Sequence, residues 1–313
     1  MSRSGHLVDH ELAPLLEAFP TTTITNENLQ ELRARQLPLP PPGDDAASVE
    51  DRVFAGPAGP LPMRIYQPLE RSEAVGCIFH VHGGGYVGGS AREVEFLHKP
   101  LAARLGCVIV SIDYRLAPEA PFPAAIDDCY AALKWTFANA ADLGVDATRI
   151  GVMGESAGGG IAAALALVSR DRGEHRLSFQ HLIYPMIDDR TCTREPHPYA
   201  GEFIWHPDNN LFGWTAYLGE EPGGEGVSPY AAVARAENLS GLPPTFLSTA
   251  ALDLFIDENL DFAGRLIRAG VPTELHVWPG AFHGFDIVPG VAVADAARGA
   301  STDALARFLR EHR

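Results

Sequence analysis

The stretch Arg149-Ile-Gly-Val-Met-Gly-Glu-Ser-Ala-Gly-Gly-Gly-Ile-Ala-Ala-Ala-Leu narrows the choice of fold more than any other part of the chain. Residues 150–153 have strand character, Gly154-Glu155-Ser156-Ala157-Gly158 follows, and a helix-forming run over 161–168 begins at once. A strand that stops dead at a helix belongs to a sheet whose strands are joined by helices. A serine in so tight a turn takes a strained backbone conformation that non-glycine residues otherwise avoid. Gly154 and Gly158 are expected beside it because a side chain at either place would collide with the strand or the helix. The turn pushes the Ser156 hydroxyl out of the sheet, with a helix N-terminus behind it that favours negative charge. The bare pattern G-x-S-x-G arises by chance in roughly 0.1 copies in a chain of this length, so the rest of the sequence decides what it means.

Strands and helices take turns along most of that remainder. Residues 1–45 form a leader with one amphipathic helix over 11–19, carrying Leu12, Leu15, Leu16 and Phe19, and a second around 28–36. The proline run at 37–45 breaks regular structure. This leader reads as a flap over the main domain rather than a separate module, because its leucine stripe needs something to bury against. Two strands follow over 49–66, on either side of Gly56-Pro-Ala-Gly-Pro, with Met63 and Ile65 alternating with polar neighbours. Apolar strands are expected at 77–81, 107–112, 150–153, 181–186, 245–249 and 274–277. Helices are expected at 93–105 (broken at Pro100), 123–137, 161–168, 257–269 and 292–310. Buried strands alternating with helices make a mostly parallel sheet covered on both faces. Residues 187–242 interrupt the alternation with an aromatic-rich insertion containing Tyr199, Phe203, Trp205, Phe212, Trp214 and Tyr217.

With 313 residues, 46% of them hydrophobic, the chain has ample material for one α/β domain. Its formal net charge of −16, without any Lys/Arg run, argues against a nucleic-acid partner. Cys77, Cys107, Cys129 and Cys192 are widely spaced and suggest neither a disulfide framework nor a zinc site. No apolar h-region opens the chain and no apolar stretch is long enough to span a bilayer, so the expectation is a cytoplasmic protein without stable membrane association. Whether it works as a monomer or a homodimer is left open.

A lone serine hydroxyl is a poor nucleophile; it needs a base to take its proton and an acid group to orient that base. In a parallel α/β sheet those partners belong in loops after later strands, in the order Ser, Asp/Glu, His. The strand at 245–249 ends in Ala250-Ala-Leu-Asp253, and the strand at 274–277 ends in Trp278-Pro-Gly-Ala-Phe-His283. Asp257 and Glu258 compete with Asp253 for the acid, but Asp257 is better explained as a helix cap. Asp253 lies closer to the strand end and is preferred. An oxyanion formed at a carbonyl must meet backbone N–H donors, one from Ala157 and others from the loop His82-Gly83-Gly84-Gly85. No Gly-Lys-Ser/Thr follows those glycines, which opposes a phosphate loop. His80 and His82 share a strand face, yet no third residue has metal-ligand spacing, so no metal and no cofactor are expected. Glu155 is expected to hydrogen-bond the turn.

Four ordered segments carry a resemblance to a known family: His82-Gly-Gly-Gly-Tyr-Val-Gly-Gly-Ser, Asp113-Tyr-Arg-Leu-Ala-Pro-Glu119 with Phe122-Pro-Ala-Ala, Gly154-Glu-Ser-Ala-Gly-Gly, and Pro279-Gly-Ala-Phe-His-Gly-Phe. From about Val53 onward the chain resembles the hormone-sensitive-lipase family of α/β-hydrolase-fold esterases, in its bacterial carboxylesterase branch. The resemblance implies an eight-stranded, mostly parallel twisted sheet with helices on both faces. It also implies a helical cap made of residues 1–45 and the 187–242 insertion, over a catalytic domain spanning 46–313. It puts the nucleophile at Ser156, the base at His283, the acid at Asp253, and the oxyanion-hole amides at Gly84, Gly85 and Ala157. Gly83, Tyr86, Phe203, Trp205, Leu254 and Phe255 are the expected pocket residues. The family often has Asp where this chain has Glu155, and Asp-Pro-Leu where this chain has Asp253-Leu254-Phe255; Phe255 bears on the size of substrate admitted. The implied activity is hydrolysis of short- to medium-chain carboxylic esters. A non-catalytic small-molecule binder on the same scaffold, and an amidase or lipase variant, are the rival readings.

Overall fold

The computed structural model describes residues 2–18, 21–35, 47–71 and 73–310. One eight-stranded sheet organises it, in the order β1-β2-β4-β3-β5-β6-β7-β8. Strands β1 (Ala47–Gly56) and β2 (Gly59–Pro68) form a hairpin in which Gly56 faces Gly59. β2 runs antiparallel to β4 (Val108–Ile112). From there β3 (Val75–Val81), β5 (Val145–Glu155), β6 (Gln180–Ile183), β7 (Thr245–Ala250) and β8 (Thr273–Trp278) are all parallel. The central strands read as unbroken apolar runs because both faces are covered; β4 and β7 have no exposed residue. The helices are α1 (Ala13–Ala18), α2 (Leu29–Ala34), α3 (Glu95–Leu105), α4 (Ala124–Ala138), α5 (Ala157–Arg172), α6 (Pro207–Leu218), α7 (Ile256–Arg268) and α8 (Ala292–Arg310).

The alternation anticipated from the sequence is thus present, and its departures have local causes. α3 runs straight through Pro100. Proline there removes one intrahelical bond, and packing against β2, β1 and α8 holds the helix together. β6 stops at Ile183 because the next residue, Tyr184, has φ 33°, outside the extended region. β2 does not alternate buried and exposed as expected: Arg64 lies buried between Met63 and Ile65, neutralised by Asp51 at 2.7 Å and Glu95 at 2.5 Å. Asp257 is not the cap of α7, since the helix opens one residue earlier with Phe255 in the cap position. It sits in the first turn, where a negative charge meets the positive end of the helix dipole.

The 187–242 insertion contains α6, two short 3-10 turns and otherwise irregular chain, so it is less helical than the resemblance implies. Its Gly/Pro-rich run at 220–226 offers nothing for a helix to propagate through. Buried polar groups hold it instead. Glu258 on α7 is 2% exposed and accepts the Ile187 and Asp188 amides at 2.8 and 3.2 Å and the Thr191 hydroxyl. Asp189 pairs with Arg235 at 2.6 Å, and Asp188 with Arg190 and Arg194 at 2.7 and 2.5 Å. The leader packs against this insertion and the sheet: the Ile24 amide donates to Asn209 at 2.8 Å, the Asp9 amide to Gly280, and the Ser4 amide to Glu202. The proline run at 37–45 lies outside the described residues. No described helix is long and apolar enough to cross a membrane.

Candidate active site

The strand-to-helix turn at Ser156 is the tightest point of the sheet's upper edge. Ser156 has φ 55° and ψ −124°, a strained conformation for a non-glycine residue. Two backbone bonds enforce it: the Ser156 amide donates to Ile183 at 2.9 Å, and the Ser156 carbonyl accepts the Met186 amide at 2.9 Å. The flanking glycines are required by contact. A Cβ on Gly154 would lie 2.3 Å from the Gly158 carbonyl oxygen, and one on Gly158 would lie 2.1 Å from that of Val81. A chain that turned here with any larger residue would have to part α5 from β5 or from β3.

Three side chains far apart in sequence converge on this point. The Ser156 Oγ lies 2.9 Å from His283 Nε2, and His283 Nδ1 lies 2.7 Å from Asp253 Oδ2. Asp253 follows β7 and His283 follows β8, so neighbouring parallel strands deliver them to the same end of the sheet. Asp253 is 1% exposed, and its second oxygen accepts the Phe255 amide at 3.0 Å. That bond fixes the carboxylate before the helix begins, which Asp257 and Glu258 are not placed to do. Tyr184 packs its ring 4.7 Å from that of His283, and Phe255 meets the same imidazole edge-on at 5.3 Å.

The glycine loop lies across from Ser156. Gly84, Gly85 and Ala157 donate no backbone hydrogen bond among the described residues, Ala157 being the first residue of α5. The loop's shape comes from its neighbours: His82 Nδ1 reaches the Gly83 carbonyl at 2.8 Å and its ring stacks on Tyr114 at 4.4 Å. Tyr114 in turn donates its hydroxyl to the His82 carbonyl at 3.0 Å, and Asp113 accepts the Ala91 amide at 2.6 Å. The Asp113-Tyr-Arg-Leu-Ala-Pro-Glu segment therefore braces the glycine loop, a part that the sequence reading did not assign.

A cavity of about 670 Å³ opens over Ser156 and His283 and extends between α3 and α8. Gly83, Gly84, Gly85 and Trp205 line it, with Leu97, Leu101, Ile183 and Ile287 supplying apolar wall. Of the other anticipated pocket residues, Tyr86, Phe203, Leu254 and Phe255 do not line it. Tyr86 is core: its ring stacks on Tyr217 at 4.0 Å and its hydroxyl donates to the Met186 carbonyl at 2.8 Å. Phe203 packs on Phe282, and Leu254 faces Gly201.

Glu155 meets its own backbone amide in the turn and also reaches a neighbouring strand. It is two residues past Met153, which pairs with His80 across the β3–β5 ladder, so Glu155 and His80 share a face. Glu155 Oε2 lies 2.9 Å from His80 Nε2, and His80 Nδ1 lies 2.8 Å from the Ser111 hydroxyl. Burial raises the Glu155 carboxyl above its usual range and holds His80 well below that of a free imidazole. Asp286, whose carboxylate accepts the Tyr184 hydroxyl at 2.5 Å on the cavity wall, is also raised by burial. No spacing in the sequence announces these pairs, because each joins elements brought together only by the sheet.

Residues 78–287 match the family described as having the alpha/beta hydrolase fold. The chain is 35% identical to esterase LipI of Mycobacterium tuberculosis, over 92% of this chain and 90% of that protein. It is likewise 35% identical to carboxylesterase NlhH of the same organism, over 96% of each. Among solved structures, a bacterial heroin esterase superposes with a TM-score of 0.89 at 36% identity, covering 98% of this chain and 99% of that one.

Proposed function

Because the chain belongs to the α/β-hydrolase-fold family, in its hormone-sensitive-lipase group, and is a carboxylic ester hydrolase, we propose that it cleaves short- to medium-chain esters with Ser156, His283 and Asp253. The observation that carries this reading is the unbroken hydrogen-bonded line from Asp253 through His283 to Ser156, at 2.7 and 2.9 Å. Asp253 holds the Nδ1–H tautomer of His283, which leaves Nε2 bare to take the serine proton. Oγ attacks the ester carbonyl carbon while its proton passes to Nε2. The carbonyl oxygen, now anionic, accepts from the amides of Gly84, Gly85 and Ala157. The intermediate collapses, the alcohol leaves with the proton from Nε2, and the acyl group stays on Oγ. Water then repeats the sequence with His283 as base, and the carboxylic acid departs.

The leader (1–45) and the 187–242 insertion serve as the cap over this site, a role supported by their mutual contacts at Asn209 and Glu202. The ester is the partner the chemistry requires. A surface carrying net −16 repels phosphate backbones, so no nucleic-acid partner enters the reading.

The test is turnover of p-nitrophenyl butyrate by wild type and Ser156→Ala. Loss by a factor of about 10⁴ or more is expected, with the variant still folded. A fluorophosphonate should label the wild type and not the variant. Retained turnover in Ser156→Ala would remove the nucleophile from this account.

A further inference from the structure

The sequence pairs His80 with His82, and the fold does not. His82 turns to its own glycine loop, while α3 brings His98 against His80 in an edge-to-face contact, ring centroids 4.0 Å apart. His98 is 1% exposed, and neither ring nitrogen has a hydrogen-bond partner among the described residues. A polar ring left so deep without a partner is destabilising, because each nitrogen has given up water and gained nothing. A leucine or phenylalanine at this place on α3 would remove that cost. One ring nitrogen of His98, one of His80 and a Glu155 oxygen lie within 4.8 Å of one another. His98 and Glu155 both line the wall of the cavity that holds Ser156, which gives a path from solvent.

We infer that His80, His98 and Glu155 form a binding site for a divalent transition-metal ion of the Zn²⁺ kind, entered from the cavity beside Ser156. Two imidazoles with one carboxylate are a donor set for zinc, cobalt or nickel rather than for magnesium or calcium, which take oxygen ligands. In a tetrahedral site with bonds near 2.0–2.1 Å, ligand atoms stand about 3.3–3.4 Å apart. His80 and Glu155, now 2.9 Å apart, would open slightly, and His98 would close in. With an ion on Nε2, His80 would carry its one ring proton on Nδ1 and donate it to the Ser111 hydroxyl 2.8 Å away, the kind of outer contact that orients a ligating histidine. A metal takes imidazole in its neutral form and carboxylate in its ionised form, so binding should weaken as pH falls. This ion is not part of the ester chemistry proposed above; its site adjoins that chemistry through Glu155, the residue before Ser156.

The experiment uses the full chain after chelator treatment, titrated with Zn²⁺ by calorimetry and with Co²⁺ by visible absorption. One Zn²⁺ per chain is expected, with a ligand-field band on cobalt loading and a melting temperature raised by several degrees at saturation. His98→Phe fills the same space without nitrogen. It should weaken binding at least tenfold, abolish the cobalt band, and melt at or above the ion-free wild type. His98→Gln and Glu155→Gln provide the same comparison if the phenylalanine disturbs α3. The inference is overturned if the wild type binds no ion stoichiometrically. It is equally overturned if the folded variants bind with unchanged strength, which would put the ion on surface histidines. Neither outcome depends on turnover, so the esterase reading stands or falls separately.

Discussion

Asp253 shows how much a single carboxylate is asked to do. One oxygen holds His283 and the other holds the Phe255 amide, so both its acceptor directions are used. Asparagine in its place keeps the shape, but its amide nitrogen must face either the Phe255 N–H or the ring nitrogen of His283. The second arrangement forces the wrong imidazole tautomer. Asp253→Asn is therefore expected to lower kcat by about 10³–10⁴ with a much smaller change in KM, measured on p-nitrophenyl butyrate. Glu258, the neighbouring candidate for the acid, has a different task. It is buried, its carboxyl held well above the usual range by desolvation, and it receives two amides and a hydroxyl from the start of the insertion. Glu258→Ala strands those donors and should cost about 2–4 kcal/mol in denaturant unfolding. Its effect on kcat should be far smaller than that of Asp253→Asn. If the two variants behave alike, the division between acid and clamp is wrong.

At the scale of elements, the leader is held by carboxylates. Arg33 on α2 makes a two-pronged contact with Glu119, at 2.7 and 2.9 Å, and also donates to the Val87 and Ala117 carbonyls. The hydrogen bond from Arg33 holds Glu119 down to about 2 from its ordinary 4.5. Glu202, which receives Ser4 and Arg3, is likewise brought to about 2, the hydrogen bonds from Ser4 and its neighbours outweighing the burial that opposes them. For a carboxylate depressed on folding, the stabilisation is complete above the unfolded value and is lost as pH falls through the folded one. Both contacts should thus be intact above about pH 4.5 and weaken between about 4.5 and 2. Both groups are near the surface, so the effect is local loosening rather than unfolding. Amide exchange over 21–35, corrected for intrinsic rates, should rise in that window while β5 and β7 stay protected. Arg33→Ala should show the same loosening at neutral pH. The elements themselves were largely legible, because buried parallel strands are continuous apolar runs and glycine marks the turn at Ser156. The positions of Asp253 and His283 were legible too, since each lies in the loop that follows a strand. What was hidden depends on meetings between distant elements: the His80–His98–Glu155 cluster, the Tyr184–Asp286 pair, and the path of the insertion around Glu258. Tyr86 misled because an aromatic beside a glycine loop looks like pocket wall, whereas its φ of 66° turns the ring into the core.

For the whole molecule, the glycine loop, Trp205, α3 and α8 enclose a space above Ser156, and on the proposed esterase reading its size bears on which esters fit. The cavity of about 670 Å³ falls within the range that encloses small organic ligands, which is more room than an acetyl group occupies. Its apolar wall comes from Leu97 and Leu101 on α3, Ile183 at the end of β6, Ile287 and Trp205. Each methylene that moves from water onto such a wall is worth at most about 0.8 kcal/mol, or close to fourfold in transition-state binding. In a series of p-nitrophenyl esters, kcat/KM should therefore climb about two- to fourfold per methylene from acetate to around hexanoate. It should flatten once the tail reaches the mouth, where Arg104, Asp295 and Arg298 make the wall polar, and fall for long chains that must protrude. Narrowing the space from one side should move that maximum without touching the chemistry. Leu101→Trp is expected to shift the optimum toward acetate and to leave acetate turnover within about threefold of wild type. An optimum at dodecanoate or longer, unmoved by Leu101→Trp, would mean that the acyl chain does not run between α3 and α8.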